Sequence, residues 1–156
     1  MVALKEQYTT LIKKYRLPSY DDIDHDFELL AIPSILEIGK PLAFVRRRMN
    51  DKLAWMCNLI QSLLSPTPGS YISMYESGLF TKEERDEMSK LLRDLMRLER
   101  TSVALDIEGA EHKDAAFVSE IFARWPIWKK QMLALTQKLI KGWEEEKKTQ
   151  KSSYLG

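Results

Sequence analysis

Apolar residues in this chain recur every three or four positions over long stretches and almost nowhere alternate one by one. The first period belongs to helices and the second to strands. The pattern therefore predicts an all-α protein, a single-domain bundle of about five to six helices. Its strongest run is LAFVRRRMNDKLAWMCNLIQSLL, from Leu42 to Leu64. Leu42, Val45, Met49, Leu53, Met56, Ile60 and Leu63 share one helical face there, and Phe44, Trp55 and Leu59 form a second stripe beside it. The two stripes span more than half the helical wheel, so a central helix near 41–65 is expected to be largely surrounded by others. Arg47, Asp51, Asn58 and Gln61 mark its wet side.

The remaining elements follow from weaker stripes and from punctuation. Residues 2–16 carry Leu4, Tyr8, Leu11 and Tyr15 on one stripe, which Leu17-Pro18 ends because a residue before proline avoids the α region. Ser19 with Asp22 reads as a variant capping box, opening a helix over 20–32 that turns Ile23, Phe27 and Leu30 inward. An apolar connector runs from Pro33 to Gly39-Lys40, and Pro41 suits the first turn of the central helix. Pro66-Thr67-Pro68-Gly69 stops that helix, and Ser70 to Ser77 can make two turns closed by Gly78.

Thr81-x-x-Glu84 is a capping box at the head of a long helix near 82–108. Its core face carries Met88, Leu91, Leu92, Leu95, Leu98, Val103 and Leu105, and Gly109 ends it. A last long helix near 113–143 steps through Val118, Ile121, Trp125, Trp128, Met132, Leu135 and Leu139, with Pro126 expected to kink or restart it. Residues 1–146 read as one domain and 147–156 as a polar tail prone to fraying.

Composition changes this picture little. The 156 residues suffice for a real core, and 44% hydrophobic with 30% charged residues is ordinary for a globular protein. A formal charge of +1 provides no global field for nucleic acid or an anionic membrane. No apolar run approaches the ~18 residues of a membrane span, and no signal-peptide h-region is visible, which points to the cytoplasm. Cys57 is the single cysteine, so neither an intrachain disulfide nor a cysteine metal cluster can form.

Several patterns invite chemistry. Asp21, Asp22, Asp24, His25 and Asp26 place ligand-type side chains at helical i, i+4 spacing. No second histidine and no EF-hand glycine accompany them, and acids at a helix start suit its dipole. Glu84-x-x-Glu87 and Glu111-x-x-Asp114 have a spacing that resembles the magnesium-binding carboxylate pairs of the all-α MazG-type nucleotide pyrophosphohydrolases. One continuous helix over 82–108 would hold Glu84 and Glu111 roughly 40 Å apart, against such a site. Lys90, Arg93, Arg97 and Arg100 form a basic stripe opposite the leucines that could meet phosphates. Asp86 and Asp94 interleave with it and no exposed aromatic does, which favours a solvated, ion-paired face over a nucleic-acid site. An Arg/Lys-punctuated helix, LLSP and then a TKEER-type helix is similar to the helical part of GINS replication-complex subunits, without their small β domain. No GxSxG, P-loop or Cys-His arrangement is present, no cofactor or metal is called for, and an enzyme is not favoured.

Two features are left. Glu99, Ser102 and Asp106 fall within the apolar arc of the 82–108 helix, and Arg46, Arg48 and Lys52 fall within or at the rim of the central helix's arc. Buried charges need partners, so either Glu99 pairs with Arg46 or Arg48, with Asp106 paired or at the wet end, or the arginine stems lie along the core with their heads in water and Glu99 sits at a helix edge. Tyr71, Ile72, Met74, Tyr75, Leu79 and Phe80 form an apolar cluster in a short connector, either a lid on the core or a contact patch. The expectation is a non-enzymatic interaction or assembly subunit with a protein partner or a second copy of itself. The alternatives are a ligand binder or enzyme built on the buried charges, and a subunit of a nucleic-acid complex using the basic stripe.

Overall fold

A computed structural model of the chain describes residues 4–29 and 39–153. Among these the chain is all-α, with six helices and no strand. They are α1 (Leu4–Tyr15), α2 (Tyr20–Phe27), α3 (Pro41–Leu64), α4 (Tyr71–Gly78), α5 (Lys82–Glu108) and α6 (Glu111–Ser153). None is long and apolar enough to cross a membrane. Leu30 and residues 33–38 of the connector lie outside the described residues. The chain groups into two compact units, one made of residues 1–55 and 95–126, the other of 56–94 and 127–156.

In the first unit the helix ends are closed locally. Arg16 takes a left-handed conformation after α1 (φ 53°), and the Leu17 N–H returns to the Ile12 carbonyl at 3.2 Å, a Schellman closure without glycine. The Ser19 hydroxyl accepts from the Asp22 N–H and donates to the Asp22 carboxylate at 2.6 Å, starting α2 as expected. Glu28, also left-handed, then stops α2 earlier than the hydrophobic pattern suggests. Gly109, at φ +68°, turns the chain from α5 into α6, a conformation that favours glycine. The core of this unit joins Tyr8, Ile23 and Phe27 to Val45, Met49, Leu98, Val118 and Ile121. Phe27 packs on Trp125 with ring centroids 4.6 Å apart.

In the second unit Met56, Ile60 and Leu63 of α3 are buried, as are Met88 and Leu91 of α5 and Trp128, Met132, Leu135 and Leu139 of α6. The Leu63 carbonyl, orphaned at the end of α3, accepts from the Ser77 hydroxyl at 2.6 Å and from Arg85 at 3.3 Å. Ser70 caps α4 by accepting from the Ser73 N–H. The Thr81–Glu84 box closes in both directions, Thr81 N–H to the Glu84 carboxylate at 2.8 Å and Glu84 N–H to the Thr81 hydroxyl at 3.2 Å.

Three details differ from the helical-wheel expectations. Trp55 and Val103 are about half exposed, at 54% and 49%, because no neighbour covers the flank of the wheel on which each lies. Of the kink or restart expected at Pro126, the restart does not occur, since α6 continues through it. Proline removes one intrahelical hydrogen bond, and the buried Trp125 and Trp128 on either side keep the segment packed. α6 also extends through Ser153, past the expected start of the tail. The i, i+4 pair Lys141–Glu145 and the Thr149 hydroxyl bond to the Glu145 carbonyl support those turns.

Candidate functional site

The first unit is built around a buried cation. Arg46 lies on the apolar face of α3, between Leu42 and Met49, and is fully buried. Ser102 and Asp106 sit one turn apart on α5, and Gly109 turns the chain so that Asp114 enters from the first turns of α6. The Arg46 guanidinium reaches all three. Its Nε donates to Asp114 at 2.7 Å, one terminal nitrogen donates to the Ser102 carbonyl at 2.7 Å and hydroxyl at 2.6 Å, and the other donates to Asp106 at 2.5 Å. Arg47 adds a second cation to Asp106 at 2.9 Å from the exposed side. Two cations and two carboxylates thus form a neutral set.

The electrostatics follow from this geometry. Burial works against the Arg46 charge, but the hydrogen bonds to Asp106 and Asp114 outweigh it and hold its pKa above the usual arginine value. Asp106 is held below the usual carboxylate range, first by its bond from Arg46 and then by Arg47. Chemically the arrangement is a clamp. Asp114 is buried beside Arg46, and Asp106 carries two arginines, so both carboxylates are engaged as acceptors of arginine N–H groups.

Of the six charged and polar residues singled out in the sequence, the structure gathers Arg46, Ser102 and Asp106. Glu99 does not meet Arg46 or Arg48; its nearest cation is Arg100, at 3.9 Å. The reason is register, since Arg46 engages α5 at Ser102 and Asp106, roughly one and two turns beyond Glu99. Arg48 pairs within α3 with Asp51 at 3.4 Å, and its Nε is buried without a partner. Lys52 lies 3.5 Å from Glu28. The sequence singles out Asp114 only in the Glu111-x-x-Asp114 pair and not as a partner of Arg46, although stepping back four residues from Val118 along the α6 stripe lands on it.

The apolar cluster of the connector divides by face. Tyr75 packs on Trp143 at 4.6 Å between centroids and donates to the Gly142 carbonyl at 2.6 Å. Trp143 in turn donates to Glu76 at 2.9 Å. Leu79 lies so close to Gly142 that a Cβ there would collide with it, and Phe80 is buried. Tyr71, Ile72 and Met74 are exposed by 62%, 60% and 56%, although the Tyr71 ring also stacks on Tyr75 at 6.0 Å and meets Trp143 edge-on at 6.4 Å. The Tyr71 hydroxyl is hydrogen-bonded to Glu146.

The other acidic patterns are engaged in pairs. Glu84 binds Lys138 through both carboxylate oxygens, at 2.5 and 2.6 Å, and Glu87 pairs with Lys90 at 2.7 Å. Glu111 accepts from Lys14 at 3.0 Å and from the Tyr15 hydroxyl at 2.7 Å. These bonds hold both carboxyls below their usual range, Glu84 chiefly through Lys138 and Glu111 chiefly through Tyr15. Asp21 pairs with Lys5 at 2.6 Å. Among the described residues no group of three or more His, Cys, Asp or Glu gathers as a metal ion would require. In the basic stripe, Arg97 meets Glu120 at 2.7 Å. No family model, curated protein or solved structure matches the chain.

Proposed function

We propose that this chain is a non-enzymatic interaction protein that docks a protein partner on the outer face of α4. The observation behind this reading is the exposure of Tyr71, Ile72 and Met74 within one turn of that helix. Single exposed apolar residues are ordinary, whereas a contiguous group is typical of a binding surface. An eight-residue helix is too short to be stable alone. Tyr75, Ser77 and the Ser70 cap hold α4 in place, so its outer face is ordered before a partner arrives and less ordering entropy is lost on binding. A tyrosine, an isoleucine and a methionine are side chains favoured at interface centres or able to adapt to them. Glu145 and Glu146 lie near this face in the sequence of α6 and disfavour a phosphate backbone there. The lone buried Cys57 suits a reducing, cytoplasmic setting.

The test is affinity capture from cells of the source organism with the wild-type chain and with Ile72→Asp/Met74→Asp. A protein retained by the wild type and lost by the variant, with helical circular dichroism unchanged, supports the reading. Equal retention by both chains contradicts it.

A further inference from the structure

In the second unit, the first turns of α5 and the facing turns of α6 leave an open groove of about 370 Å³. Met88, Leu91 and Leu135 line its apolar floor. Glu84 and Lys138 neutralise one another across it, leaving Glu83 and Glu87 to give the rim a net negative charge. Glu87 is met by the exposed Lys90, a type of pair that contributes little. The groove extends from Glu83 to Leu91 on α5 and from Gln131 to Lys138 on α6. At 1.5 Å per residue that is roughly 10–12 Å, the length of one heptad.

The same chain carries a matching edge. Leu133 and Ile140 lie one heptad apart on another face of α6 and are exposed by 55% and 51%. They are roughly 10.5 Å apart along the axis, and the exposed Lys130 and Lys147 share that face beyond them, with the exposed Glu144 also on it. Two apolar anchors on a face with more lysine than glutamate suit an apolar floor rimmed by glutamates in both length and charge.

We infer that the α5–α6 groove of one molecule receives the Leu133–Ile140 edge of a second copy. Groove and edge are different surfaces, so the contact is heterologous, and a copy whose groove is filled still presents its own edge. Association therefore grows beyond a dimer with concentration and weakens with salt, because the flanking charges are exposed. This contact is separate from the α4 face, so Ile72→Asp/Met74→Asp leaves it intact even if partner docking is lost.

Sedimentation velocity on the full chain across the micromolar range tests it, with each variant first checked for wild-type helicity. The wild type is expected to form faster-sedimenting species as concentration rises. Glu83→Lys/Glu87→Lys, which spoils the groove, and Leu133→Glu/Ile140→Glu, which spoils the edge, are each expected to stay monomeric. Mixed in equal amounts, they are expected to form a dimer and nothing larger, since one intact groove and one intact edge survive. A wild type that stays monomeric, a groove variant that associates like the wild type, or a mixture that stays monomeric overturns the inference.

Discussion

The two units solve the problem of joining helices with opposite materials. In the first, a whole guanidinium is buried among a serine, two aspartates and a backbone carbonyl. In the second, α4 is held against α6 by aromatic packing and by neutral or exposed polar contacts, such as Tyr75 to the Gly142 carbonyl. A buried charge depends on all its partners at once, since losing one leaves the others desolvated and uncompensated. Aromatic packing with neutral hydrogen bonds is more forgiving, because each contact contributes about 1 kcal/mol. The first unit therefore turns its strongest chemistry inward. The second unit holds α4 with Tyr71, Ile72 and Met74 exposed.

The contrast is broken most severely at Asp114. Asp114→Ala should cost about 3–5 kcal/mol in urea denaturation, because it strands a buried cation. A loss below about 1 kcal/mol would mean that water reaches Arg46. In the second unit, Tyr75→Phe removes one hydrogen bond to Gly142 and should cost about 1 kcal/mol. A loss comparable to that of Asp114→Ala would erase the distinction between the units.

Acid sharpens the comparison. The Asp106 pKa is depressed in the folded state, so its stabilising effect is complete above its ordinary value of about 4. It fades as pH falls from there through the lower folded value. Asp106→Asn should therefore lower the denaturation midpoint at neutral pH and flatten its decline below about pH 4. An unchanged acid profile would show that Asp106 is not engaged by the arginines.

The smallest effect is expected at Glu99. Among the described residues it approaches Arg100, at 3.9 Å, so Glu99→Ala should change stability by no more than about 0.5 kcal/mol. A cost near 3 kcal/mol would instead place it against a buried arginine.

Much of the architecture was legible in the residue pattern, for identifiable reasons. Capping residues and glycine signal helix ends directly, so the 82–108 helix matches Lys82–Glu108 and the central helix ends one residue early, at Leu64. The wheel was less reliable for burial. It grouped Trp55 and Val103 with the core because their apolar arcs are wide, and it has no information on which flank another helix covers. For the clamp, the wheel identified Arg46, Ser102 and Asp106 as charged or polar residues on apolar faces. It did not fix their partners, because register between helices distant in sequence is set by packing. Pairing Glu99 with Arg46 accordingly picks the wrong turn, and Asp114 stands out in the sequence only as one carboxylate of the Glu111-x-x-Asp114 pair.

The most direct test of the inward-facing clamp is a double-mutant cycle between Arg46 and Asp114, using Arg46→Met, Asp114→Leu and the pair. Each single change should be strongly destabilising, and the double should recover much of the loss, since apolar residues of similar volume replace a buried ion pair well. The predicted coupling is about 2 kcal/mol or more. Additive losses, with coupling below about 0.5 kcal/mol, would contradict the account by showing that the two residues do not depend on one another.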